Sequence, residues 1–92
     1  VTAVLVQLPP ILRAVAGGAR ILEAQGGTVG EVLEHLAAQC PALALHLFDE
    51  NRTIRRNIIC IHDERVVRAG EMNTHGVRPG DELLLANALA GG

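Results

Sequence analysis

The chain has 92 residues with ten acidic and eight basic side chains, a formal net charge of −2, and Phe48 as its sole aromatic residue. That length accommodates one domain and excludes two. The charge balance leaves no electrostatic footprint for nucleic acid, and a thin aliphatic core is a poor frame for the concave, partly aromatic pockets of most small-molecule enzymes.

Residues 2–8 are rich in β-branched and aliphatic side chains and stop at Pro9-Pro10, which reads as a strand with a hard end. Ala14-Val15-Ala16 imitates a signal-peptidase site. No basic segment precedes the apolar run, and Arg13 sits beside the supposed cleavage point, so a strand is expected rather than a leader. Gly17-Gly18 marks a turn, and residues 20–24 form a second short strand, joined to the first as a hairpin with a long connection. After Gly26-Gly27, Thr28-Val29-Gly30-Glu31 has the pattern of a capping box, with the Thr28 hydroxyl accepting a first-turn N–H and Glu31 reaching back. Val29, Val32, Leu33, Leu36, Ala37 and Cys40 then recur at helical period as one apolar stripe, with Glu31, Glu34, His35 and Gln39 off it. Pro41 ends this helix.

Residues 42–48 read as a short helical turn with aliphatics tucked under a sheet, and residues 49–56 as a polar loop carrying Arg52, Arg55 and Arg56. Residues 57–61 form a third strand, Asp63-Glu64 the tip of a tight turn, and residues 65–68 a fourth strand. Residues 70–76 are irregular. Pro79-Gly80 occupies the centre of a turn, and residues 82–87 form the last strand. The order β-β-α-β-β-β with one amphipathic helix predicts an α+β, two-layer domain of the ubiquitin-like type, a mixed sheet packed on that helix. The domain is expected over residues 1–87, with a flexible C-terminal tail over 88–92. No apolar stretch is long enough to cross a bilayer.

Candidate chemistry is sparse. Cys40 and Cys60 form no CxxC pair and are too few for a thiolate metal site, so both read as small buried hydrophobes of a reducing cytoplasm. The four histidines follow no metal-ligand spacing, and no metal site is expected. Two features remain. Alternate residues of the third and last strands are apolar in both phases, so the sheet face that the helix leaves bare is expected to dock a protein. Ile58, Cys60 and Leu84 are its candidates, with Arg55 and Arg56 as a basic patch for an acidic partner. The second feature is the ending Ala88-Leu89-Ala90-Gly91-Gly92, without charge or bulky side chain after Leu89. Lacking a Cβ, Gly91-Gly92 can thread a narrow groove and bring a carboxylate beside a reactive atom.

Five stretches together carry a resemblance over nearly the whole chain. They are Ile-Leu-Arg at 11–13 followed by Gly17-Gly18, Thr-Val-Gly-Glu-Val at 28–32, Asn-Ile-Ile-Cys-Ile-His-Asp-Glu at 57–64, Pro-Gly-Asp-Glu at 79–82, and the Gly-Gly ending. The chain resembles the MoaD/ThiS family of ubiquitin-like sulfur carriers, which have a β-grasp fold, and within it the carriers of a cysteine biosynthesis route. The resemblance implies a protein cosubstrate with no catalytic residue and no bound cofactor of its own. A partner adenylating and sulfurtransferase enzyme would use ATP to activate the Gly92 carboxylate, and a sulfur donor would convert it to a thiocarboxylate. Gly91, Ala90 and Leu89 would deliver that group to partner active sites. Further implied partners are a sulfur-accepting synthase, such as a pyridoxal-phosphate-dependent cysteine synthase, and a metallopeptidase that releases the product, all in the cytoplasm. Other readings under the same resemblance are a small subunit of molybdopterin synthase, a carrier for thiamin or natural-product thiolation, and a ubiquitin-like modifier; a plain interaction module stands beside them. The chain has no Lys, so a modifier of this sequence could not build chains on itself.

Overall fold

The computed structural model describes residues 3–87. Thr2 and the tail residues Leu89, Ala90, Gly91 and Gly92 lie outside them. The elements are β1 (Val4–Gln7), α1 (Pro10–Arg13), β2 (Ile21–Ala24), α2 (Val29–Gln39), α3 (Pro41–Leu47), β3 (Ile58–His62), β4 (Arg65–Val67), a single 3₁₀ turn (Ala69–Glu71) and β5 (Glu82–Asn87). The five strands form one sheet in the order β2-β1-β5-β3-β4. β1 and β5 run parallel at its middle, and the other neighbours are antiparallel. This is the β-grasp arrangement that the strand order predicts.

The expected local signals form with small differences. The Thr28 hydroxyl accepts the Glu31 N–H at 3.2 Å, while the Glu31 carboxylate reaches past Thr28 to the Gly27 N–H at 2.7 Å. The other two first-turn N–H groups find carbonyls from a distant segment: Val29 donates to His75 O at 3.0 Å and Gly30 to Met72 O at 2.8 Å. Residues 72–77 therefore complete the N-terminus of α2, which has no partners for these donors within itself. Asp63 and Glu64 both adopt positive φ, as the two-residue hairpin turn between β3 and β4 requires. Arg78–Asp81 closes with an Asp81 N–H to Arg78 O bond at 3.0 Å and Gly80 at φ 91°, a type II turn that aims β5 into the sheet.

One helical piece, α1, departs from the expected order, while α3 is the helical turn expected over residues 42–48. Pro10 does end β1, but it also starts the short helix α1, where its fixed φ suits a first helical position. Pro41 likewise stops α2 and opens α3. The core lies between the sheet and the helices. Val29, Val32, Leu33, Leu36 and Ala37 of α2 are buried there, with Leu12 from α1 and Leu43 and Leu47 from α3. Each such Val or Leu contributes roughly 1.5–3 kcal/mol of burial before entropy is subtracted.

Backbone approach is tightest at Gly26, where α2 leaves the loop. A Cβ there would lie 2.7 Å from Val32 N and 2.9 Å from Glu31 C, both backbone atoms of the helix. Gly26→Ala is expected to destabilise the fold by about 1–3 kcal/mol, read as a lower urea midpoint; an unchanged midpoint would show that α2 shifts without cost.

Candidate functional site

β5 lies between two neighbours, and its residues alternate between two faces. Leu83 and Leu85 are fully buried under the helices, while Glu82 and Leu84 point the other way. Register carries this phase across the sheet: Leu84 sits opposite Gln7 of β1 and Ile61 of β3, and Ala86 opposite Ile59. Val66 of β4 pairs with Ile61. The face away from the helices therefore presents Ile59, Ile61, Leu84, Ala86 and Val66 together, with Val66 59% and Leu84 41% exposed. Toward β1 and β2 the same face turns polar. There Gln7 Nε2 donates to Glu82 Oε1 at 2.7 Å, and Glu23 is exposed.

This placement corrects part of the expected docking surface. Ile58 and Cys60 lie on the core side, 6% and 1% exposed, opposite Asn87 and Leu85. β3 is apolar in both phases, so its composition does not mark the outer face; the pairing with β5 does, and it turns Ile59 and Ile61 outward. Leu84 stands where it was expected. Ile59, Ile61, Ala86 and Val66 are the members that strand composition missed. For Ala86 a signal was present in Glu82, whose charge marks the outward phase of β5; the phase of Ile59, Ile61 and Val66 follows from strand pairing.

Asn87 ends the described part of β5 opposite Ile58, the first residue of β3, and residues 55–57 lead into that end of β3. The polar loop before β3 is held in place there. Asp49 Oδ1 accepts the N–H groups of Asn51 and Thr53 at 2.8 and 3.0 Å. Arg52 has a left-handed backbone at φ 62°, its guanidinium pairs with the Glu34 carboxylate on α2, and it lies 5.3 Å over the Phe48 ring. Arg52 is thus spent on clamping the loop and is not part of the basic patch. Arg55 Nε donates to Leu45 O at 2.9 Å, which fixes the base of its exposed guanidinium; Arg56 is exposed. Arg55, Arg56 and Arg68 border a groove of about 310 Å³ whose floor includes Ile54, Ile59 and Val66. The apolar patch and two of the expected arginines therefore meet beside the end of β5.

Among the described residues, no three His, Cys, Asp or Glu side chains are placed to hold a metal ion. Cys40 and Cys60 are unpaired thiols, and burial pushes the Cys60 thiol up to about 11. A protonated, enclosed thiol is a packing group rather than a nucleophile. Gly92, Gly91, Ala90 and Leu89 lie outside the described residues, so their expected role rests on the sequence. No helix among the described residues is long and apolar enough to cross a membrane.

Comparison with known proteins adds three findings. The profile of the ThiS family matches residues 6–92. The sulfur carrier protein CysO of Mycobacterium tuberculosis H37Rv is 33% identical over 92 residues, spanning 97% of this chain and 98% of the relative. Among solved structures, the Amycolatopsis orientalis BexX/CysO complex holds a chain that matches with a TM-score of 0.83 at 32% identity, over 98% of this chain and 100% of that one. SAMP1 from Haloferax volcanii matches with a TM-score of 0.82 at 26% identity, over 98% and 99%.

The burial of Cys60 is directly testable. In the folded protein, iodoacetamide near neutral pH is expected to leave Cys60 unmodified and to label it only after denaturation, as read by peptide mass spectrometry. Rapid native labelling of Cys60 would contradict its place in the core.

Proposed function

The chain belongs to the ThiS family, and on that premise we propose that it is a sulfur carrier of the CysO type. Its Gly92 carboxylate is activated as an acyl-adenylate by an ATP-using partner, with pyrophosphate released. A sulfur donor then displaces AMP and leaves a thiocarboxylate. The observation that carries the proposal is the position of β5. The strand preceding the Gly-Gly segment is held on both sides at the middle of the sheet, and it ends beside an uncovered apolar patch bordered by Arg55 and Arg56.

Each part of the chain then has a physical task. The sheet face docks on the partner through Leu84, Ile59, Ile61, Ala86 and Val66, and Arg55 and Arg56 pair with acidic groups at its rim. Leu89, Ala90, Gly91 and Gly92 form the delivery segment. A segment of five residues spans at most roughly 17 Å when extended, which bounds how deep a partner's reaction centre can lie from Asn87. The carrier needs no general base, because a thioacid ionises more readily than a thiol and is already nucleophilic near neutral pH. Positioning and charge stabilisation come from the partner enzymes. The acceptor is proposed to be a cysteine synthase using pyridoxal phosphate, with a peptidase restoring the Gly-Gly end, in the cytoplasm. The domain over 1–87 acts as scaffold and 88–92 as arm.

The likeness to SAMP1, a small archaeal modifier protein, supports a second reading, attachment of Gly92 to lysines of other proteins.

Intact mass spectrometry of the protein from its native host separates the two. A form heavier by one oxygen-to-sulfur exchange is the expected result; Gly92 found solely in isopeptide bonds would sink the carrier reading. The docking face has its own check with the cognate adenylating enzyme. Leu84→Asp should lower ATP–pyrophosphate exchange about thirtyfold, as loss of an interface anchor does. At this exposed position it should change stability by less than about 1 kcal/mol. Undiminished exchange would remove this face from the interface.

A further inference from the structure

His62 is the single polar or charged side chain buried in the core of the described residues, 7% exposed. It ends β3 on the core side, at the opposite end of the sheet from Asn87, and the docking face makes no use of it. Both ring nitrogens are engaged. Nε2 lies 3.0 Å from Asp81 Oδ2, and Nδ1 lies 2.8 Å from Nε2 of His75. The two imidazoles meet edge to face with centroids 5.0 Å apart.

The hydrogen bonds assign the protons. Asp81 Oδ2 also accepts the Arg78 backbone N–H at 3.0 Å, and that bond, with His62 next, holds the Asp81 carboxyl below the usual carboxylate range. An ionised Asp81 only accepts, so His62 Nε2 carries a proton. In the neutral ring Nδ1 is then bare, and His75 Nε2 must donate to it. His75 is in turn tied to α2: its carbonyl accepts the Val29 N–H, and Met72 of the same segment accepts the Gly30 N–H.

We propose that His62, His75 and Asp81 form a proton-operated latch that steadies residues 72–77 against the N-terminus of α2 and loosens their hold on its first turn when both imidazoles are protonated. The first added proton is accommodated. It binds His62 Nδ1, while His75 loses its Nε2 proton to solvent and takes one up at Nδ1. An imidazolium–imidazole hydrogen bond remains, one net proton has been gained, and the positive charge faces Asp81. Asp63, with an oxygen 3.7 Å from His62 Nε2, adds to this attraction. The second proton cannot be accommodated. Two N–H groups then point at each other across 2.8 Å with no acceptor between them, and two like charges meet. Among the described residues no acceptor stands between the two rings, and the Asp81 and Asp63 carboxylates lie on the far side of His62, at Nε2. Arg65 of β4 is the register partner of His62, and Arg78 lies beside Asp81. β5 offers the apolar Leu83 opposite His62, and the Glu31 carboxylate of α2 is already bonded to Gly27 N–H. With the His62–His75 bond broken, the segment loses its side-chain bond to β3 and is left with buried Met72 and Val77 and the Val77 N–H bond to Gly27 O at 3.0 Å.

The test reads α2 directly and is independent of sulfur transfer. Nitrogen-15 imidazole spectra near neutral pH should show both rings protonated at Nε2. Amide exchange at Val29 and Gly30, corrected for intrinsic pH effects and compared with Leu36 in the same helix, should accelerate about tenfold as the pH is lowered from neutral into the acid range. His75→Gln keeps a donor to His62 Nδ1 but cannot titrate, so it should hold protection at Val29 and Gly30 constant across that range. His75→Ala should show the fast exchange already at neutral pH. An Nδ1-protonated neutral His62, flat exchange in the native chain, or identical pH profiles for the native chain and His75→Gln would each overturn the latch.

Discussion

One long amphipathic helix must serve a five-stranded sheet, and it can cover one face. The stripe from Val29 to Ala37 packs on the side where Val4, Val6, Leu83, Leu85, Ile58 and Cys60 point inward. α1, α3 and residues 69–77 widen that cover, because a single helix is narrower than the sheet. Among the described residues no element is left for the other face. The same constraint sets the location of the open apolar face, the orientation of β3 and the enclosure of Cys60.

The second consequence is the position of β5. The last strand inserts beside the first, pairing Leu5 with Glu82 and Val6 with Leu83 in parallel. Such distant pairing carries a chain-closure cost, which the buried apolar contacts on one face must offset. The result is a firm base for whatever follows Asn87. The polar loop is arranged to the same effect: Asp49 organises its turn, Arg52 clamps it to Glu34 and Phe48, and Arg55 and Arg56 are left exposed beside the strand end. A carrier whose chemistry takes place in other proteins' active sites has use for a rigid platform, a recognisable face and a narrow arm.

The opposite end of the sheet is built from different forces. There a buried imidazole links β3, the turn that starts β5 and the segment that completes the N-terminus of α2. Both ring nitrogens of the buried His62 have partners, as a buried polar network requires. The two ends differ, with an open apolar face toward Asn87 and a polar network where β5 begins.

Much of this architecture was legible in the sequence. The capping pattern at Thr28, the stripe behind it, the turns at Asp63-Glu64 and Pro79-Gly80 and the β5 boundaries are local signals, and each formed where local chemistry placed it. The helical turn after Pro41 was legible too, whereas the short helix after Pro10 was harder to read, because a proline that stops one element also suits the first turn of another. The sequence alone determined which residues share a face, and it identified the Gly-Gly ending and the family resemblance. Tertiary structure alone decided which face of β3 is covered, so that Ile58 and Cys60 are core and Ile59 and Ile61 surface. It also decided that His62 turns inward to meet His75 and Asp81. The physical reason is the same in both cases. Alternation along a strand defines two sets of side chains, but when both sets are apolar only pairing with a strand more than twenty residues away in sequence, together with the helix packed on one side, chooses between them.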